Sequence, residues 1–103
     1  GNYVKGLNIA YEKFDATQIQ KDIEGFIIGE KLPRSSKVLF AKIVGGYNPS
    51  VEGENEAKFR ALIFSAEIQK AEIAYFQNAK IDLGASKLLK PNQIVLRLTL
   101  SPQ

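Results

Sequence analysis

Ala57-Lys58-Phe59-Arg60-Ala61-Leu62-Ile63-Phe64-Ser65-Ala66-Glu67-Ile68 is the stretch whose reading decides the fold. Ala57, Ala61, Phe64 and Ile68, continued by Ala71 and Tyr75, recur at the spacing of one helix face. The Ala, Glu, Lys and Gln content around them favours a helix as well. Yet Leu62, Phe64, Ala66 and Ile68 alternate as they would in a half-buried strand. If residues 57–76 are helical, they pack on a sheet in an α+β domain. If they form strands, they make a hairpin with the apolar run before them, and the chain becomes a small all-β sandwich. Periodicity leaves both readings open.

The flanking segments favour the α+β reading. Leu7, Ile9 and Tyr11, with Tyr3, fall on one side of a period-two pattern, which predicts a strand over 3–11. Asp15-Ala16-Thr17-Gln18 then carries a helix start: the Asp15 carboxylate can accept from the Gln18 amide, the Gln18 side chain can reach back, and Phe14 can staple onto Ile19. Ala16, Ile19, Ile23, Phe26 and Ile27 form one stripe opposite Gln18, Gln20, Lys21, Asp22 and Glu24, which predicts a helix over 16–28. Gly25 and Gly29 weaken that helix, and Ile19, Ile23 and Ile27 would also share one face of a strand.

Pro33-Arg34-Ser35-Ser36 reads as a turn. Val38 to Val44 is an apolar run that suits a central strand buried on both faces, ended or bent by Gly45-Gly46. Residues 47–56 read as an exposed acidic loop. Further on, Ala79, Ile81 and Leu83 alternate with polar residues, as do Ile94, Leu96, Leu98 and Leu100. Strands over 79–83 and 93–100 are expected, antiparallel to one another, with Gly84 and Pro91-Asn92 supplying the turns. The expected architecture is therefore one α+β domain spanning 1–103: an antiparallel sheet of four or more strands, from 3–11, 37–46, 79–83 and 93–100, with one or two packed helices.

Composition restricts the chemistry. The 103 residues include no His, Cys, Met or Trp. Without His and Cys the chain lacks the usual near-neutral proton shuttle, the thiolate nucleophile and the best ligands for soft and borderline metals. Asp, Glu, Lys, Arg, Tyr and Ser remain, and they support catalysis only where they converge. A carboxylate-only enzyme of the glycosidase type would need two carboxyl groups across one cleft. The apolar runs are far shorter than a membrane span. The chain starts at Gly1 rather than Met, which raises the expectation of processing and of an extracytoplasmic setting.

Local motifs are weak. Glu52, Glu54 and Glu56 alternate in the acidic loop but fail the EF-hand order, so a solvated loop is expected there rather than a calcium site. Gly45-Gly46 lacks the spacing and the terminal Lys-Ser/Thr of a phosphate loop. Ser36-Lys37 and Ser86-Lys87 hold the residue types of a Ser/Lys dyad, but both sit in expected surface turns. Tyr47-Asn48-Pro49-Ser50 after a strand is similar to the Asn-Pro-Asn turn of the small sandwich domains in late-embryogenesis-abundant proteins. The similarity covers four residues and differs at the third motif position, so it implies a sandwich rhythm and no function.

Charge is uneven. Lys31, Arg34, Lys37 and Lys42 lie in a window, residues 31–51, that has no acidic residue, and Lys80, Lys87, Lys90 and Arg97 face only Asp82 in the last third. If the two regions shared a face, Phe40, Tyr47 and Tyr75 could stack bases beside a basic patch. Two functions follow as expectations. The first is a non-catalytic interaction or structural domain with a protein partner, such as the soluble part of a processed cell-envelope protein, with no cofactor and no metal. The second is a small single-stranded nucleic-acid-binding module using Lys31, Arg34, Lys37, Lys42 and Tyr47. Phe26, Phe64, Tyr75 and Phe76 are expected in the core in either case.

Overall fold

The computed structural model describes residues 4–102, so Tyr3 lies outside the described residues. Strand β1 (Lys5–Tyr11) leads into helix α1 (Ala16–Gly29), and strand β2 (Lys37–Gly46) leads into helix α2 (Glu54–Lys70). A short 3₁₀ turn (Ala74–Phe76), strand β3 (Lys80–Ser86) and strand β4 (Ile94–Ser101) complete the fold. The domain is α+β, with residues 54–70 helical and no sandwich. The turn at Asn48-Pro49 therefore leads into a helix, and the similarity to sandwich domains does not extend to the fold.

The four strands are ordered β1-β4-β2-β3. β4 is antiparallel to both β1 and β2, whereas β3 runs parallel to β2. The last two strands run in opposite directions as expected but are not neighbours, and the sheet expected to be antiparallel has one parallel pair, β2 with β3. β3 and β4 do not touch each other along the sheet, because β2 lies between them. Gly84 is inside β3 rather than in a turn.

β1-α1-β2 and β2-α2-β3 are parallel crossovers that step the same way across the sheet. Right-handed connections therefore place both helices on one face. The core lies under them. Ile19, Ile23 and Ile27 of α1 and Ala61, Phe64 and Ile68 of α2 pack on Val38, Ala41, Ile43, Leu96, Leu98 and Leu100. Phe64 and Phe76 are buried, and Phe26 and Tyr75 pack against the core from its margin. Among the described residues no helix covers the opposite face of the sheet. Phe40 is exposed and Lys42 half-buried there, so β2 is not buried on both faces along its whole length.

The start of α1 follows the capping chemistry in part. The Gln18 amide donates to Asp15 Oδ1 at 3.0 Å. The Gln18 side chain does not reach back; its Nε2 donates to Asp22 Oδ1 at 2.8 Å. Asp22 also accepts the Tyr11 hydroxyl at 2.7 Å, tying β1 to α1. Burial and that carboxylate push the Tyr11 phenol well above its ordinary pKa. Phe14 meets the Phe64 ring edge-on, with centroids 5.3 Å apart, so it joins the two helices.

The glycine pair has a different use on each side of β2. A Cβ on Gly45 would overlap the Ala57 carbonyl, so the backbone of α2 rests directly on the strand. A Cβ on Gly46 would overlap the Lys90 carbonyl, where the connection from β3 to β4 crosses the end of β2. Neither glycine ends the strand in an open turn, because both are paired with β3. Close backbone approach requires the missing side chains.

Candidate interaction surfaces

The acidic loop is shorter than expected, because Glu54 and Glu56 already belong to α2. Each of its carboxylates has its own structural role. Glu56 Oε1 accepts the Gly53 amide and closes the start of the helix. Glu54 sits in the first turn, where the helix dipole favours negative charge. Glu52 accepts from both terminal nitrogens of Arg60 at 2.6 Å, and Arg60 also donates to the Gly46 carbonyl at 3.0 Å. This bidentate pair holds the Glu52 carboxyl below the usual carboxylate range and raises the Arg60 pKa further. Arg60 thereby fastens the loop, the end of β2 and α2 together, leaving its buried Nε without a partner among the described residues.

The two Ser-Lys pairs are also turn devices. Ser36 is buried rather than on the surface, and its hydroxyl donates to the Pro33 carbonyl at 2.6 Å. Ser86 Oγ accepts the Leu88 amide at 3.1 Å. A cleft of about 580 Å³ lies between the end of α2 and the start of β3, floored by Ile68, Ile73, Phe76 and Ile81. Its lining carries one carboxylate, Glu72, beside Gln69 and Gln77. General acid–base work between two carboxyl groups needs a second one.

The basic and aromatic residues singled out from the sequence are spread along the molecule. Lys31 is in the connection after α1, with a left-handed backbone at φ 56°, and Arg34 is in the following turn. Lys37 opens β2 and reaches the Ala74 carbonyl at 3.5 Å. Lys42 lies mid-strand, 3.9 Å from Asp82, and Tyr47 follows the last residue of β2. A strand of this length spans roughly 30 Å, so Lys37 and Tyr47 stand at opposite ends. What the fold does bring together is a cross-strand row, Asn8, Arg97, Lys42 and Asp82, on the open face of the sheet. Phe40, Thr99 and Lys80 form the neighbouring row.

A second surface was missed in the sequence. Phe59, Leu62 and Ile63 of α2 are 59%, 47% and 49% exposed. With Asn55, Ala66 and Lys70, all exposed, they make a stripe on the side of α2 opposite Ala57, Ala61, Phe64 and Ile68. The helix is thus apolar front and back. Its double pattern explains why this stretch also read as a strand: Phe64 and Ile68 point inward, whereas Leu62 and Ala66 point outward. The ambiguity was itself the signal. Comparison of the chain with protein-family models, with curated proteins and with solved structures gives no match. No helix among the described residues is long and apolar enough to cross a membrane.

Proposed function

We propose that this chain is a non-catalytic protein-interaction domain whose docking surface is the outward face of α2. The observation that carries the reading is the apolar stripe Phe59, Leu62 and Ile63 on a helix whose opposite side already fills the core. A contiguous exposed apolar patch with polar neighbours is the usual mark of a protein contact. Lys58 and Gln69 flank the stripe on one side, and Glu56 and Glu67 on the other.

Rigidity adds support. The N-terminal half of α2 is seated on Gly45 and clamped by Arg60 to Glu52, so its outward side chains are presented with little ordering left to do. Selection from a phage-displayed library of amphipathic helical peptides tests the proposal. Binders that lose at least about tenfold in affinity against Phe59→Lys/Ile63→Glu support it. A selection that enriches nothing, or only peptides indifferent to that change, overturns it.

A second reading, single-stranded nucleic acid on the open sheet face, is favoured by Arg97 standing directly across from Lys42, one row from the exposed ring of Phe40. Asp82 beside Lys42 weighs against it. Titration with labelled single-stranded DNA and RNA at two salt concentrations decides: salt-sensitive binding reduced by Arg97→Glu supports this reading, and no binding at low salt removes it.

A further inference from the structure

We infer that the occupant of the outward α2 face is a second copy of this chain, the two α2 helices packing antiparallel about a twofold axis that passes close to Leu62 and Ile63. The inference rests on the docking reading above and names its partner.

The stripe complements itself when reversed. With the axis passing between Leu62 and Ile63, Leu62 meets the partner subunit's Leu62 on one side of it and Ile63 meets the partner subunit's Ile63 on the other, while the bulky Phe59 meets the partner subunit's Ala66, large against small. Alternation of that kind is what lets apposed helix surfaces interlock. An isologous contact needs one patch that fits its own reversed image, and a helix stripe centred on its own midpoint satisfies that condition.

The charges select the antiparallel direction. Glu54 and Glu56 lie in the first turn of α2 and Lys70 in the last. Reversal sets Glu56 near the partner subunit's Lys70 at each end of the contact and opposes the two helix dipoles. A parallel pair would instead place Glu56 beside Glu56 and Lys70 beside Lys70. The first arrangement is attractive at both ends and the second repulsive at both.

The area limits the strength. From Asn55 to Ala66 the stripe is roughly 17 Å long and carries three large side chains, well under the area of a standard stable interface. Association is therefore weak and reversible, visible only at high micromolar protein or above, unless a tether raises the local concentration.

Sedimentation equilibrium of the full chain from micromolar to millimolar concentration tests the inference. The expected result is a mass rising towards that of a dimer, with association weakened at least about tenfold in Phe59→Glu/Ile63→Glu while its circular dichroism and urea midpoint stay unchanged. A wild-type chain that remains monomeric throughout overturns it. Because the chain has no cysteine, single substitutions report geometry cleanly. Leu62→Cys is expected to oxidise to a homodimer, and Phe59→Cys to cross-link with Ala66→Cys rather than with itself. A Phe59→Cys homodimer without the mixed product overturns the antiparallel arrangement. If the wild type is monomeric but helical peptides still select on the stripe, the second-copy inference falls and the docking reading stands; if both experiments are negative, both fall.

Discussion

The two helices lie side by side on the same face of the sheet, and only one of them turns a mostly polar back to solvent. α1 buries Ile19, Ile23 and Ile27 and shows Thr17, Gln20, Lys21 and Glu24 outward, with Ile28 at its end the one large apolar exception. α2 buries Ala57, Ala61, Phe64 and Ile68 and shows Phe59, Leu62 and Ile63 outward. Folding accounts for every apolar position of α1 but Ile28. It accounts for only half of those on α2. The surplus on α2 lies outside the buried core, and it is this surplus that the proposed external contact would cover.

The contrast can be broken first from the inside. Ile23→Ala in α1 and Ile68→Ala in α2 each remove a fully buried side chain, and each is expected to lower the unfolding free energy by about 4 kcal/mol. Urea unfolding followed by circular dichroism measures this. Gly45→Ala acts on α2 alone, because the new methyl overlaps backbone that cannot rotate away; a loss of about 3 kcal/mol is expected, and a neutral result would mean that α2 can lift off β2 freely.

Tyr11→Phe acts on α1 through Asp22 and is expected to cost about 1.5 kcal/mol at neutral pH. Its pH dependence carries a definite sign. The Tyr11 phenol is raised in the folded state, so its contribution is full below the unfolded value near 10.0 and is lost as pH rises towards the higher folded value. The wild-type stability should therefore fall more steeply above that pH than that of Tyr11→Phe, in paired denaturation series. Asp15→Ala, which removes the α1 cap, is expected to cost about 1 kcal/mol in the same assay. The smallest effect sharpens the comparison most: Leu62→Ala on the outward face should change stability by less than about 0.5 kcal/mol. A loss like that of Ile68→Ala would mean that the stripe is core, and the docking surface would disappear.

Much of the fold was legible because local physics wrote it. α1 was read to within one residue of its observed end, since a cap and a one-sided stripe agree there. α2 was ambiguous because two stripes overlap on one helix, and periodicity cannot assign apolar residues to a face when both faces are apolar. The candidate site was legible only in fragments. Lys42 and Phe40 do share the open face, but Lys31 and Arg34 lie in the connection before β2 and Lys37 and Tyr47 at its opposite ends, because charge in a sequence window says nothing about where the fold places each residue.

By itself the sequence determined β1, α1, β2, β4 and the chemistry the chain lacks, because capping, amphipathic spacing and side-chain inventory act over a few residues or none, whereas the type of element over 57–76 stayed open. Only the tertiary structure decided that β3 lies parallel to β2, that β4 inserts between β1 and β2, and that Gly45 and Gly46 admit backbone from opposite sides. It also separated the apolar residues of α2 into those the sheet covers and those it leaves outside. Strand partners and the far side of a helix are fixed by packing between distant segments, and such packing leaves no period in the chain.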